Sequence, residues 1–152
     1  MNRISIQYLE DSPELANLSP QKVGETLRAV MEKIPLKYLL IGWNLPAPLL
    51  EVCKEECQRN GSMLYRWHPL LTGDGVLMPR REWQVVGLDG NVVPGFQNMP
   101  EFTFLCPNRP EVKAAVYGRL EQIIDARDYQ GLFLDRIRFP SPAANPLANL
   151  GC

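Results

Sequence analysis

The sequence predicts an α/β fold on a parallel sheet, and three observations carry that prediction. Short apolar runs alternate with stretches of helical spacing, the pattern of repeated strand–helix units. One run, Tyr38-Leu39-Leu40-Ile41-Gly42, is continuously apolar, as suits a parallel strand covered on both faces. The residues of unusual chemistry fall where strands end. That favours a barrel over an open sheet, because barrels carry their chemistry at C-terminal strand ends.

Arg3 to Tyr8 alternates and reads as the first strand. Ser19-Pro20 opens the first helix, with Ser as cap and Pro at the first helical position, where its missing N–H costs nothing. Val23, Leu27, Val30, Met31 and Ile34 make the apolar stripe, and Pro35 stops it. Tyr38 to Gly42 is the second strand. Pro46 and Pro48 open the next helix, Leu49, Leu50, Cys53 and Cys57 line it, and Asn60-Gly61 closes it. Ser62 to Trp67 is the third strand. A long connection follows, at about 68–101, of the kind kept as a lid or binding loop. Within it Trp83 to Leu88 and Val92-Val93 flank Asp89-Gly90-Asn91 as a small hairpin. Phe102 to Leu105 is a short extended run. Asn108 caps a third helix, with Glu111 as its reciprocal partner, and Val112, Val116, Leu120, Ile123 and Ile124 form its stripe. Gly131 to Asp135 is the fourth strand. From Phe139 to Cys152 the chain is rich in Pro, Ala and Asn and reads as irregular.

The 152 residues allow one core, and 45% apolar with 22% charged residues is ordinary for a globular domain. A net charge of −1 and no basic stretch argue against a nucleic-acid partner and against recruitment to anionic lipid. No apolar run is long enough to span a bilayer. The N-terminus lacks the apolar core of a signal peptide, which points to the cytoplasm or to a leader removed ahead of Met1. Cys53 and Cys57 share a helix face, but His68, the one histidine, does not complete a zinc set, so no metal is expected. A dinucleotide-binding sheet needs a glycine-rich turn after its first strand. Leu9-Glu10-Asp11-Ser12-Pro13 has no glycine, and no cofactor is expected.

Parallel strands end on one side of a sheet, so Tyr8, Trp43, Asn44, Trp67, His68 and Asp135 are expected to gather at one mouth, with Arg136 and Arg138 just beyond. Aromatic faces stack on sugar C–H faces, and Asn, His, Arg and Asp bind hydroxyls. Each residue also has a plainer reading. Trp43 and Trp67 can be packing residues, His68 can satisfy a loop carbonyl, and Asp135 can pair with Arg136 or Arg138. Asp135 is the sharpest candidate. Alternation puts it on the face of Gly131 and Phe133, where an unpaired carboxylate is costly.

The segment Cys106-Pro107-Asn108-Arg109-Pro110-Glu111-Val112, a helix, and then Tyr129-Gln130-Gly131-Leu132-Phe133-Leu134-Asp135-Arg136-Ile137-Arg138-Phe139-Pro140 resembles the glycoside hydrolase-like barrel families of bacteria. Those carry an Asn-Pro-Glu-Val helix start and a strand reading Asp-Gly, three hydrophobic residues, Asp, aromatic, hydrophobic, Arg, aromatic, Pro. Gln130 replaces the first Asp and Arg136 the aromatic, while Gly131, Asp135, Arg138, Phe139 and Pro140 keep the pattern. The match covers about a quarter of the chain. The resemblance implies a (β/α)8 barrel of TIM type, of which residues 1–152 supply the N-terminal half, about four strand–helix units. It implies Asp135 as nucleophile or acid/base.

The leading expectation is hydrolysis of O-glycosidic bonds in oligo- or polysaccharides. Asp135 would be catalytic, and Arg138, Trp43, Asn44, Trp67, His68 and Tyr8 would bind substrate. Such chemistry usually takes two carboxyl groups, about 5–5.5 Å apart in retaining enzymes and about 6.5–9.5 Å in inverting ones. Asp74, Glu82, Asp89 and Glu101 in the long loop are possible partners, as are residues of the absent half. Four strands leave two open edges, so the missing half-barrel or self-association is the expected protein partner. The alternatives are a barrel that binds carbohydrate without cleaving it, and a lyase or isomerase barrel. No phosphate-binding glycine turn supports the last.

Overall fold

The computed structural model of the chain describes residues 4–10, 12–95, 99 and 102–140. Arg3, Glu101, Cys152 and the rest of the tail from 141 lie outside the described residues. The chain divides into two compact units. One comprises Met1–His68 and Arg127–Phe133; the other comprises Pro69–Ala126 and the chain from Leu134 onward.

In the first unit, β1 (Ile4–Tyr8) leads through a 3-10 turn (Pro13–Asn17) to α1 (Pro20–Met31). Ser19 caps α1 by accepting from the Lys22 N–H, and Pro20 takes the first helical position, as the sequence requires. The helix ends at Glu32, earlier than Pro35, and Lys33 and Ile34 turn off it by bonding back to the Val30 carbonyl. Next come β2 (Leu36–Ile41), α2 (Ala47–Asn60) and β3 (Met63–Pro69). Gly61 closes α2 at φ +68, a left-handed value that glycine adopts without steric cost. β1 and β2 pair in parallel, as do β2 and β3, with Leu39 beside Leu64 and Ile41 beside Arg66. β4 (Gly131–Asp135) completes a parallel sheet of order β1-β2-β3-β4.

Alternation sorts the sheet residues onto two faces. Leu39, Ile41 and Leu64 pack with Val23, Leu27 and Met31 of α1 and with Leu49, Cys53 and Cys57 of α2. Each such buried side chain contributes about 1.5–3 kcal/mol. Glu56 of α2, 4% exposed, is gripped by Arg28 of α1 at 2.7 Å and by Arg59. The Arg28 hydrogen bond, followed by that from Arg59, holds its carboxyl below the ordinary value against the opposing effect of burial. Gly24 lets the two helices approach, since a Cβ there would lie 3.1 Å from Val52 Cγ1. The opposite face carries Tyr38, Tyr65, Trp67 and Phe133, described below.

Burial pushes the thiol of Cys53 up to about 12, and neighbouring Cys57 adds to the shift; burial and then Glu56 push Cys57 to about 11. Only thiolate reacts quickly with alkylating agents. Iodoacetamide at pH 8 is therefore expected to leave both residues unmodified in the native protein and to label both in urea, as read by peptide mass spectrometry.

The second unit holds the long connection, α3 (Pro110–Asp125) and the chain after Phe133. The predicted hairpin is present in miniature. Val86 bridges Val92 antiparallel, the Gly87 N–H donates to the Asn91 carbonyl, and Asp89 accepts from Asn91 across the turn. A 3-10 turn (Arg81–Trp83) precedes it, and Gln84 bridges Leu105. Leu105, Val112 and Val116 form a small core with Leu70, Leu77, Trp83 and Leu120. One expectation fails here. Asn108 does not cap α3; Arg109 takes that place without a side-chain cap bond. Pro110 sets the start, because its ring fixes a helical φ and its missing N–H is harmless only near the first helical position.

Asp74 ties this unit together. It is 1% exposed, its Oδ1 accepts from the N–H groups of Val76 and Leu77, and its Oδ2 accepts from Arg119 Nε of α3 at 2.7 Å. Burial alone would raise its pKa. The Leu77 N–H, the Arg119 guanidinium and the Val76 N–H outweigh it, so the carboxyl lies below its ordinary value.

Candidate functional site

The strand ends deliver the expected residues, but not all to one face. Trp67 of β3 meets Trp43 edge to face, with ring centroids 6.0 Å apart, and meets Phe133 of β4 in the same manner at 6.4 Å. Tyr38 and Tyr65 stack edge to face at 5.1 Å on the same side of the sheet. Such pairs are favoured because the positive ring edge meets a negative ring face. Trp43 and Trp67 are partly buried, Phe133 is 44% exposed, and Asn44 stands exposed in the turn after β2.

Tyr8 and His68 go elsewhere. Tyr8 packs against the helix-side core. Burial, with Cys53 nearby, raises its phenol above the ordinary value. His68 is 2% exposed. β3 runs through Pro69 rather than stopping at Trp67, so alternation sets His68 with Leu64 and Arg66, opposite Trp67. Tyr8 and His68 therefore do not share the face of Trp67.

Gly131 makes room for the aromatic face. A Cβ at that position would lie 2.5 Å from the Tyr65 ring. Gly131→Ala is expected to destabilise the protein by about 1–3 kcal/mol, since the ring must leave its rotamer or the strand must shift. Urea unfolding measures this, and Gly131→Ala combined with Tyr65→Leu should recover part of the loss.

Within the second unit, Asp135 ends β4 and Arg136 follows at φ +54, a left-handed conformation that is strained for a side chain other than glycine. The Asp135 side chain is 36% exposed. Its Oδ1 accepts from the Arg136 N–H at 2.7 Å, and its Oδ2 lies 3.8 Å from Arg136 Nε. The Asp135 carbonyl accepts from the Leu70 N–H, which fixes the strand end. Arg136 lies over the Phe102 ring at 4.0 Å. Burial lowers its pKa, with Arg138 adding to that effect and Asp135 opposing it. Arg138 was expected to bind substrate, or to pair with Asp135. It lies over Phe104 at 5.4 Å and donates to the Phe139 carbonyl. Sequence reasoning gave Arg136 only a pairing role and left Phe102 out. The signal for the pair was available, since Arg136 stands where the resembled strand carries an aromatic.

The loop carboxylates considered as partners are accounted for in part. Asp74 is committed to Arg119, Asp89 to its own turn, and Glu82 is exposed on the 3-10 turn. Among the described residues no group of three or more His, Cys, Asp or Glu is placed to hold a metal ion, and no helix is long and apolar enough to cross a membrane.

No protein-family model and no curated protein matches the chain. Its fold is similar to that of a hypothetical protein from Ruminiclostridium thermocellum ATCC 27405, with a TM-score of 0.59 at 13% identity, over 91% of this chain and 78% of that one. It is also similar to the alpha-N-acetylgalactosaminidase NagBb from Bifidobacterium bifidum, solved with Gal-NHAc-DNJ, with a TM-score of 0.52 at 13% identity, over 88% of this chain. The chain spans 27% of that enzyme's length. At such identity the likeness is one of fold. This is an α/β chain with a four-stranded parallel sheet, similar over part of its length to a glycosidase.

Proposed function

We propose that this chain is the carbohydrate-active part of a barrel-type glycoside hydrolase, with Asp135 as a catalytic carboxylate. One observation carries the reading: Asp135 ends a parallel strand with its side chain 36% exposed, held by the N–H of its own neighbour, with its ion-pair partner Arg136 at 3.8 Å. A structural carboxylate in this chain looks different, as Asp74 and Glu56 show with their short guanidinium bonds. The Arg136 guanidinium, 3.8 Å away, can steady Asp135. The fold likeness to a glycosidase supports the class. A second carboxylate is still required, and residues outside this chain are its proposed source.

The test is release of reducing ends from a panel of oligo- and polysaccharides, run beside a binding measurement on the same panel. Release from any member supports hydrolysis. Saccharide affinity without release from any bound member would move the reading to a binding barrel, and neither binding nor release would end it.

A further inference from the structure

We infer that the second unit carries a further ligand site, for a saccharide bearing one carboxylate, in the cavity beside its hairpin; this rests on the carbohydrate reading above. The cavity has a volume of ≈ 730 Å³. That falls within the range of about 300–1,000 Å³ typical of sites for organic ligands and far exceeds the needs of a lone inorganic anion. Its walls include Arg81 and Glu82 of the 3-10 turn, Gln84, Asn91 and Val92 of the hairpin, and Arg109 at the start of α3.

The charges select the ligand. Several other arginines are occupied: Arg28 and Arg59 on Glu56, Arg119 on Asp74, Arg80 over Trp83. Arg81 and Arg109 have no ion pair among the described residues, and both line the cavity. A guanidinium fork matches a carboxylate in two parallel hydrogen bonds. Glu82 offsets one of the two positive charges, so the balance favours a single negative group over a polyanion.

The amides select a polyol around that group. Gln84 Nε2 donates to the Pro79 carbonyl, and Asn91 Nδ2 donates to Asp89. Each amide has its N–H₂ engaged, and each carbonyl oxygen is without a partner among the described residues. Such oxygens accept from hydroxyls. Two cations, two hydroxyl acceptors and the apolar side of Val92 suit a uronic acid. The walls are held in place by the Val86–Val92 bridge and the Gly87–Asn91 hydrogen bond.

The experiment is calorimetry on the whole chain with a disaccharide ending in glucuronic acid, beside the same disaccharide ending in glucose. The acidic sugar is expected to bind at least about tenfold more tightly. Arg81→Ala with Arg109→Ala should remove that preference with the melting temperature unchanged, because both residues are exposed, and Asp135→Asn should leave it intact. Equal affinity for the two sugars, or an unchanged preference in the double variant, would overturn the site. So would full competition by inorganic phosphate at equal concentration, which would mark a simple oxyanion hole. The two readings fail separately. Acidic-sugar binding without cleavage of any saccharide supports this site and counts against hydrolysis. Asp135-dependent cleavage of neutral sugars without acidic preference does the reverse.

Discussion

Replacing Asp135 by Asn is expected to lower turnover of a susceptible glycoside by about a thousandfold, with the fold intact. The size follows from the usual contribution of a positioned acid, base or nucleophile, about 10² to 10⁴. The substitution is a clean one here. Asn keeps an oxygen to accept the Arg136 N–H that Asp135 now binds at 2.7 Å. The other carboxylate oxygen lies 3.8 Å from a guanidinium, so little structural energy is lost with the charge. Thermal melting should shift by no more than about 2 °C, which corresponds to about 0.5–1 kcal/mol. Saccharide affinity should persist. Rates of wild type and variant within a factor of three would remove Asp135 from catalysis.

The largest stability effect is expected at Asp74. Asp74→Ala should cost about 3 kcal/mol in urea unfolding, the lower end for breaking a buried ion pair. The lower end applies because Arg119, 15% exposed, can turn partly toward water once its partner is gone. The N–H groups of Val76 and Leu77 also lose their acceptor. Removing Arg119 as well should cost less than the sum of the two single changes, by about 1–3 kcal/mol of coupling. The pH dependence has a definite sign. The folded-state pKa of Asp74 lies below the unfolded one, so the native protein gains from the charged form. That gain is fully present above the unfolded pKa, near 4, and is lost as pH falls through the folded value. The stability difference between wild type and Asp74→Asn should be flat above about pH 5 and should shrink below about pH 4. A difference that grew on acidification would contradict the assignment.

Local rules made most of the elements legible. Ser19-Pro20, Pro46 and Gly61 mark helix ends through short-range sterics and capping, which a sequence displays directly. The cap of α3 was misread because two local rules competed, an Asn three residues before a Glu and a proline between them, and the proline's fixed φ won. The site was less legible because side-chain direction depends on where a strand stops. Ending the third strand at Trp67 placed His68 at a mouth; letting it run to Pro69 returns His68 to the face of Leu64. Tyr8 was read by position alone, whereas its packing against the helix-side core depends on where α1 and α2 lie. The Asp74–Arg119 pair joins residues 45 apart and has no local signature.

The strand order also bears on how the chain folds. Each strand pairs with the one before it in sequence, and for β1–β2 and β2–β3 the paired residues are only about thirty positions apart. Closing the last step is longer, since Gln130 reaches Leu64 across 66 positions. Loop-closure entropy grows only logarithmically, by about 0.6 kcal/mol for each doubling of length. The long stretch Pro69–Ala126 can therefore be carried within the last crossover at a cost near that of one surface hydrogen bond. The first three strands can assemble early from nearby contacts, and β4 is expected to dock last, after its insertion has folded.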